Sequence, residues 1–389
     1  MREVAIAGVG MTPFGISDRS NIEMFSDAAL EAIDRSNLEP GDMEALFFGN
    51  CLGDFEEGQL HMAPFVHSAI GLPMAAPATR FESACATATV AIRHAALLVA
   101  AGVYDVVLVG GTERAAAMGT PLATRTFAMA CHAQYETPTG ITFPGVFAMA
   151  THMYAAKYGL TLADLKRHMA EVAVKNHFHG AKNPKAHFRK EISVEKVLGG
   201  AMIADPLQLL DCCPFSDGAA AVVIASADKA RQLVEKPVFV AGTGQAAAGP
   251  LNLQQDLTRV RSRETASAAA YKQAGIGPAD IDVCELHDCF TMAEILAIEA
   301  LGFYEPGRGF DAASRGETRL GGKGVTVNPS GGLKAKGHPI GATGAAQVVE
   351  IVTQLRGEAG GRQVGGARVG LVDTLGGDFG TICNIVLRR

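Results

Sequence analysis

Val4-Ala5-Ile6-Ala7-Gly8-Val9-Gly10 and Val238-Phe239-Val240-Ala241-Gly242-Thr243-Gly244 are one phrase written twice in the same chain. Each is an apolar run with the character of a buried strand, closed by glycines that predict a turn. The echo continues at a similar offset. Leu38-Glu39-Pro40-Gly41-Asp42-Met43-Glu44 parallels Ile276-Gly277-Pro278-Ala279-Asp280-Ile281-Asp282, and both follow alanine-rich helical stretches. Farther on, the apolar helix expected over 86–102 leads to a strand at 106–111, just as a helix over 345–355 leads to Val369-Gly370-Leu371-Val372 and then Gly376-Gly377. Strands and helices that alternate in this way imply an α/β chain with sheets covered on both faces. The two most apolar helices, one per half, are expected between two sheets, giving stacked α/β/α/β/α layers. Residues 1–114 form the N-terminal half and 238–389 the C-terminal half. Residues 115–237 have no counterpart and exceed a normal connection, which predicts an inserted loop domain, with the end of the N-terminal half near 205–230.

With 389 residues the chain has room for two or three structural units. Its 48% hydrophobic and 19% charged content is that of a soluble globular enzyme, and a net charge of −6 argues against general nucleic-acid binding. No run reaches the length of a membrane span and no signal peptide is expected before Val4. Eight cysteines without a CxxC pair or a disulfide framework suit reduced thiols, hence a cytoplasmic location. The chain ends Leu387-Arg388-Arg389 and carries no SKL address.

Three segments carry chemistry. In Phe81-Glu82-Ser83-Ala84-Cys85, the cysteine stands at the start of a buried helix, where the dipole and free amides favour thiolate, so its pKa is expected to fall. Taken alone, Cys85 reads rather as a small buried hydrophobe, which a free cysteine usually is. In Gly337-His338-Pro339-Ile340-Gly341-Ala342-Thr343-Gly344, a histidine sits on a glycine-rich turn before the second apolar helix and is free to approach a thiolate. Glu285-Leu286-His287-Asp288-Cys289-Phe290 adds a second histidine at a strand end. The stretch 328–344, with Asn328-Pro329-Ser330-Gly331-Gly332-Leu333 before His338, resembles the signature of thiolases, and His287-Asp288-Cys289-Phe290 resembles the HDCF motif of their sterol-carrier-protein-type branch. Val174-Lys175-Asn176-His177, Asn183-Pro184, Pro206-Leu207 and 212–220 look like the same branch, so the resemblance covers nearly the whole chain.

That resemblance implies the duplicated five-layered thiolase fold and cleavage of a 3-oxoacyl-CoA, or the reverse Claisen condensation, through an acyl group on Cys85. His338 would take the thiol proton and then help hold the enolate oxygen beside His287. The amides of Cys85 and Gly376 would form the oxyanion hole, to which His338 also contributes. Coenzyme A is the co-substrate, and neither a permanently bound cofactor nor a metal is expected. Many thiolases carry a second cysteine in a CxG motif, where this chain has Thr374-Leu375-Gly376. A threonine hydroxyl cannot stand in as acid and base, which leaves Cys289, His287 or water for that step. Cys383 is expected in the core. The gap also suits a decarboxylative ketosynthase, a C-acyltransferase acting on other acceptors, or a non-catalytic acyl-CoA-binding scaffold.

Lys175, Lys182, Lys185, Arg189 and Lys190 are the candidate phosphate contacts for coenzyme A, with a solvated surface as the plain alternative. Phe127, Met129, Phe143, Phe147 and Met149 are candidates for the acyl pocket or for core. Family resemblance further implies a homodimer and a small zinc-ribbon/OB-fold partner subunit, with acetoacetyl-CoA thiolases and benzoylsuccinyl-CoA thiolase both in the group.

Overall fold

The computed structural model describes residues 2–389. In the N-terminal half, β1 (Val4–Met11), β2 (Leu46–Gly49), β3 (Ala78–Phe81) and β4 (Val106–Arg114) precede a short hairpin, β5 (Met202–Ala204) and β6 (Leu207–Gln208), and then β7 (Asp217–Ser226). The C-terminal half supplies β8 (Val238–Ala247), β9 (Val283–Glu285), β10 (Thr326–Val327), β11 (Val369–Gly376) and β12 (Thr381–Arg388). Strand order is β3-β2-β4-β7-β1 in one half and β10-β9-β11-β12-β8 in the other. The first two pairings of each half are parallel and the next two antiparallel. The duplication read in the sequence is therefore a duplication of topology. The two sheets expected from it are joined, because β1 and β8 pair antiparallel through Ala5–Phe239 and Ile6–Val238 to give one 10-stranded sheet.

The glycines of the opening phrase are not turns; they lie inside β1 and β8. A β-carbon on Gly8 or Gly10 would meet the Ala32 or Ala28 carbonyl oxygen at 1.9 or 2.1 Å, in the helix Asn21–Asp34. On Gly242 or Gly244 it would meet the Ala270 or Ala266 carbonyl oxygen at 2.2 or 1.8 Å, in the helix Arg261–Ala274. The repeated glycines let an outer helix press its backbone onto its strand in each half. The second echo is also structural. In both copies a Pro-initiated 3₁₀ turn is tied by an aspartate to the preceding amide, Glu39 N to Asp42 at 2.8 Å and Gly277 N to Asp280 at 2.8 Å.

The helices Thr87–Ala100 and Thr343–Arg356 fill the space between the two halves of the sheet. Ala88, Ala91, Ile92 and Ala95 from one, with Val348, Ile351 and Val352 from the other, share a core with Val107, Val222, Val372 and Ile385. Side chains alternate along β7: Ala220, Val222 and Ile224 face this central core, while Ala221, Val223 and Ala225 face the outer helices. Burying one such aliphatic side chain stabilises by roughly 1.5–3 kcal/mol. Between β4 and β7 run residues 115–216, where the C-terminal half has only the turn 377–380 between β11 and β12. Within this stretch the helices Phe143–Tyr158 and Leu162–Gly180 lie on the C-terminal half. Gly180 abuts Ala335 and Gly331, so the stretch buttresses the segment leading to His338.

At Gly344 the two central helices are in close contact, and a β-carbon there would stand 1.9 Å from Thr89 Oγ1 and 2.7 Å from Thr89 N. Gly344→Ala is expected to lose about 1–3 kcal/mol of stability, read as a lower urea midpoint at unchanged slope.

Candidate active site

Cys85 follows β3 on a tight turn that opens the Thr87–Ala100 helix. Ala84, just before it, holds φ at +47°, a left-handed conformation that a non-glycine residue adopts only when its surroundings enforce it. Four contacts do so. Ala84 N donates to Glu82 Oε1 at 2.6 Å, Ser83 N to Thr87 Oγ1 at 2.8 Å, Thr87 Oγ1 to the Ala84 carbonyl at 2.6 Å, and the Cys51 thiol to the same carbonyl at 3.1 Å. Gly376 presses on this turn so closely that a β-carbon would lie 2.4 Å from the Ser83 carbonyl oxygen. The backbone N–H groups of Gly377 and of Cys85 itself act on the sulfur to pull its pKa down. Gly376, expected from the sequence to contribute an oxyanion-hole amide, is the residue next to that glycine.

The expected low pKa of Cys85 is corrected by the structure. Although the residue keeps some contact with solvent, burial pushes its thiol up to about 12, with Glu113 and Glu82 adding to the rise against those two amides. Only one turn of 3₁₀ helix precedes the Thr87–Ala100 helix at this point, and it does not offset the loss of water. At neutral pH the Cys85 side chain is therefore a thiol.

His338 stands close to that thiol. Its Nδ1 lies 2.6 Å from Thr343 Oγ1, whose single proton is already donated to the Pro339 carbonyl at 2.9 Å. Nδ1 is therefore the protonated nitrogen, which leaves the Nε2 lone pair free. Burial and then Lys336 hold His338 down to about 3, so the ring is neutral. His287 lies on the loop between β9 and the helix Thr291–Ala300, fully buried, with neither ring nitrogen hydrogen-bonded to protein. Its pKa is also lowered, by burial first and then by His338 and Arg263. The two imidazoles meet edge to face with centroids 5.1 Å apart, and one ligating atom from each of Cys85, His287 and His338 lies within 4.8 Å of the others.

Glu113, at the end of β4, underpins this meeting and was not anticipated. Its carboxylate accepts Asn50 Nδ2 at 2.7 Å and the amides of Leu52 at 2.9 Å, Cys51 at 3.1 Å and Gly341 at 2.9 Å. Burial pushes it up to about 7 against these donors. One carboxylate thus ties the N-terminal half to the turn that carries His338.

The three side chains open into a cavity of about 920 Å³ walled by Phe127, Met129, Phe143, Phe215, Phe290 and Leu209. Phe147 and Met149, also named from sequence, are not in its wall: Phe147 packs between Phe290 and Phe379, and Met149 faces solvent. Cys289 lines the cavity with its thiol raised well above the ordinary value by burial. Thr374 does not line it, since its hydroxyl donates to the Cys383 carbonyl at 3.2 Å, and Cys383 is core.

Of the five candidate phosphate contacts, Lys175 and Lys185 are corrected by their partners inside the protein. Lys175 is buried in an ion pair with Glu294, and Lys185 is bound to Glu31 and the Met11 carbonyl. Lys182 lies over the Phe178 ring at 4.6 Å, and Arg189 and Lys190 are exposed. Among the described residues, no lysine or arginine lines the cavity. The pairing partners were invisible in a stretch read only for its charge. Cys131, Glu136 and Asp378 also come within ligating distance of one another. There Glu136 already accepts the His132 and Asn252 amides, and burial and Glu136 push Asp378 up to about 6.

Family models for the thiolase N-terminal domain and the thiolase C-terminal domain-like region match residues 4–228 and 245–389. The chain is 42% identical to the acetyl-CoA acetyltransferase of Methanothermobacter thermautotrophicus, with 100% of both chains covered. It is 37% identical to the benzoylsuccinyl-CoA thiolase subunit BbsB of Thauera aromatica, over 93% of this chain and 91% of that one. Among solved structures, the Ltp2-ChsH2(DUF35) aldolase superposes with a TM-score of 0.84 at 26% identity, covering 100% of this chain and 98% of that one.

A thiol held at about 12 fixes one outcome. Iodoacetamide labelling of Cys85 in the free protein, followed by peptide mass, is expected to accelerate about tenfold per pH unit from neutrality upward without levelling off. A plateau near neutrality would show a resting thiolate instead.

Proposed function

The chain belongs to the thiolase family and is an acyltransferase, and from that premise we propose that it exchanges acyl groups between 3-oxoacyl-CoA and coenzyme A through a thioester on Cys85. The convergence of the Cys85 sulfur with two neutral imidazoles, one of them with its free nitrogen fixed by Thr343, carries this reading. As the sulfur attacks the 3-keto carbon, His338 Nε2 takes its proton. Because thiol and imidazole are both neutral at rest, this transfer is coupled to formation of the carbon–sulfur bond. The new oxyanion rests on the amides at Cys85 and the Gly376-Gly377 turn. The bond between C2 and C3 then breaks, leaving an acyl-CoA enolate whose oxygen is held by the His338 imidazolium and by His287. Cys289, which burial keeps protonated within the same cavity, supplies the proton to C2 in place of the missing CxG cysteine. Coenzyme A finally takes the acyl group from sulfur: its thiol proton passes to the Cys289 thiolate, and the His338 imidazolium returns its proton to Cys85 as that sulfur leaves. No cofactor is permanently bound in this scheme.

Aromatic and methionine side chains in the wall favour a bulky apolar or aryl acyl group. A homodimer is proposed through β3, the outer strand of the sheet. Its backbone edge is unpaired, and the chain between β2 and β3 presents exposed Phe55, Leu60, Phe65 and Met74. A second, smaller subunit is proposed because the cavity wall has no cation for the phosphates of coenzyme A. One relative is named as a subunit, and the name of the similar aldolase joins two components.

Incubation with a panel of short, long and aryl 3-oxoacyl-CoA esters is expected to leave an acyl adduct on the Cys85 peptide by mass. Cys85→Ala should abolish the adduct and cut thiolysis by roughly four orders of magnitude or more. His338→Ala should cost about 100- to 10,000-fold. A Cys85→Ala protein that cleaves at the parental rate refutes the scheme.

A further inference from the structure

Arg263 is the largest fully buried side chain among the described residues, and no part of the scheme above uses it. It enters the interior from the outer helix Arg261–Ala274. Its Nε donates to Asp373 Oδ1 at 2.9 Å, while Nη1 and Nη2 have no partner at all. Asp373 is equally buried and is the centre of a small array. Its Oδ1 also accepts Asn384 Nδ2 at 3.0 Å, its carbonyl accepts Gln347 Nε2 at 3.1 Å, and its Oδ2 faces the backbone N–H of His287 at 3.5 Å. Arg263 thus reaches the His287 loop through one carboxylate. Burying a guanidinium with two unpaired amino groups is costly, and a packed apolar side chain would stabilise the same space better. A charge kept under those terms, behind a histidine whose ring nitrogens are both free, points to the reaction rather than to the fold.

We propose that Arg263 and Asp373 form the positioning pair behind His287: the carboxylate anchors the loop from beneath, and the guanidinium supplies a fixed positive field at the place where the enolate forms. This rests on the thiolase reading of the site and assigns the enolate half of it a residue outside the cavity wall. The ring of His287 gains no orientation from hydrogen bonds of its own, so its aim depends on packing and on that backbone anchor. The same positive charge helps burial and His338 keep the imidazole neutral, so the ring donates to the enolate oxygen from a nitrogen that keeps its proton. In so dry a site, a buried cation acts strongly on developing negative charge.

Two reactions of the full-length protein separate this role from a structural one. Exchange of label between an acyl-CoA and free coenzyme A passes through acyl-Cys85 without forming an enolate, whereas thiolysis of the matching 3-oxoacyl-CoA requires one. Arg263→Met is expected to depress thiolysis at least tenfold more than exchange. Arg263→Lys should recover part of the difference, since the charge stays but the planar fork is lost. The double variant Arg263→Met with Asp373→Asn leaves no lone buried charge to unfold the protein, and it should show the same selective loss. If both reactions fall together in all three variants, or thiolysis is untouched, the proposal is overturned. If the wild-type protein shows neither exchange nor a Cys85 adduct, the thiolase reading fails, and this inference with it.

Discussion

The site depends on a backbone contact between the two halves. Gly341, three residues beyond His338, sits with its carbonyl so near β4 that a β-carbon on Gly111 would stand 2.0 Å from it; a β-carbon on Gly341 itself would lie 2.6 Å from the Thr112 carbonyl oxygen. Its amide is taken by Glu113. Only glycines on both sides permit this approach. The carboxylate then converts close packing into a fixed register, because it also holds the amides of Cys51 and Leu52. Remove that clasp and His338 of one half no longer faces Cys85 of the other.

Duplication explains why the partners meet. Cys85 and His338 each lie between the outermost parallel strand of their half, β3 or β10, and its central helix. His287 follows β9, the strand equivalent to β2, after which come Asn50 and Cys51. Parallel strands deliver their following loops at one edge, and the buried helices run back from it side by side. Sulfur and imidazole arrive from equivalent positions in two copies of one topology.

The doubled order of elements was legible because apolar strands and alanine-rich helices repeat in register, and the three chemical segments were legible because each breaks that pattern with glycine, histidine or cysteine. What failed shared one cause: the sequence does not show what lies opposite a residue. Gly8, Gly10, Gly242 and Gly244 read as turns, although they are places where a helix leans on a strand. Cys85 read as thiolate because its helix was visible and its desolvation was not. Lys175 and Lys185 read as free cations because Glu294 and Glu31 are more than a hundred residues away. Arg263, in an ordinary polar helical stretch, gave no sign of its burial.

Residues 115–216 fill the place that in the other half is the turn 377–380. They contribute Phe127, Met129, Phe143, Leu209 and Phe215 to the chamber, whereas the sulfur and both imidazoles come from outside them. Much of the chamber's wall and the Cys85, His287 and His338 trio therefore lie on separate stretches of chain. Drift in 115–216 can reshape the chamber while those three side chains stay as they are, and a scaffold partitioned in this way can change what it accommodates without disturbing the trio.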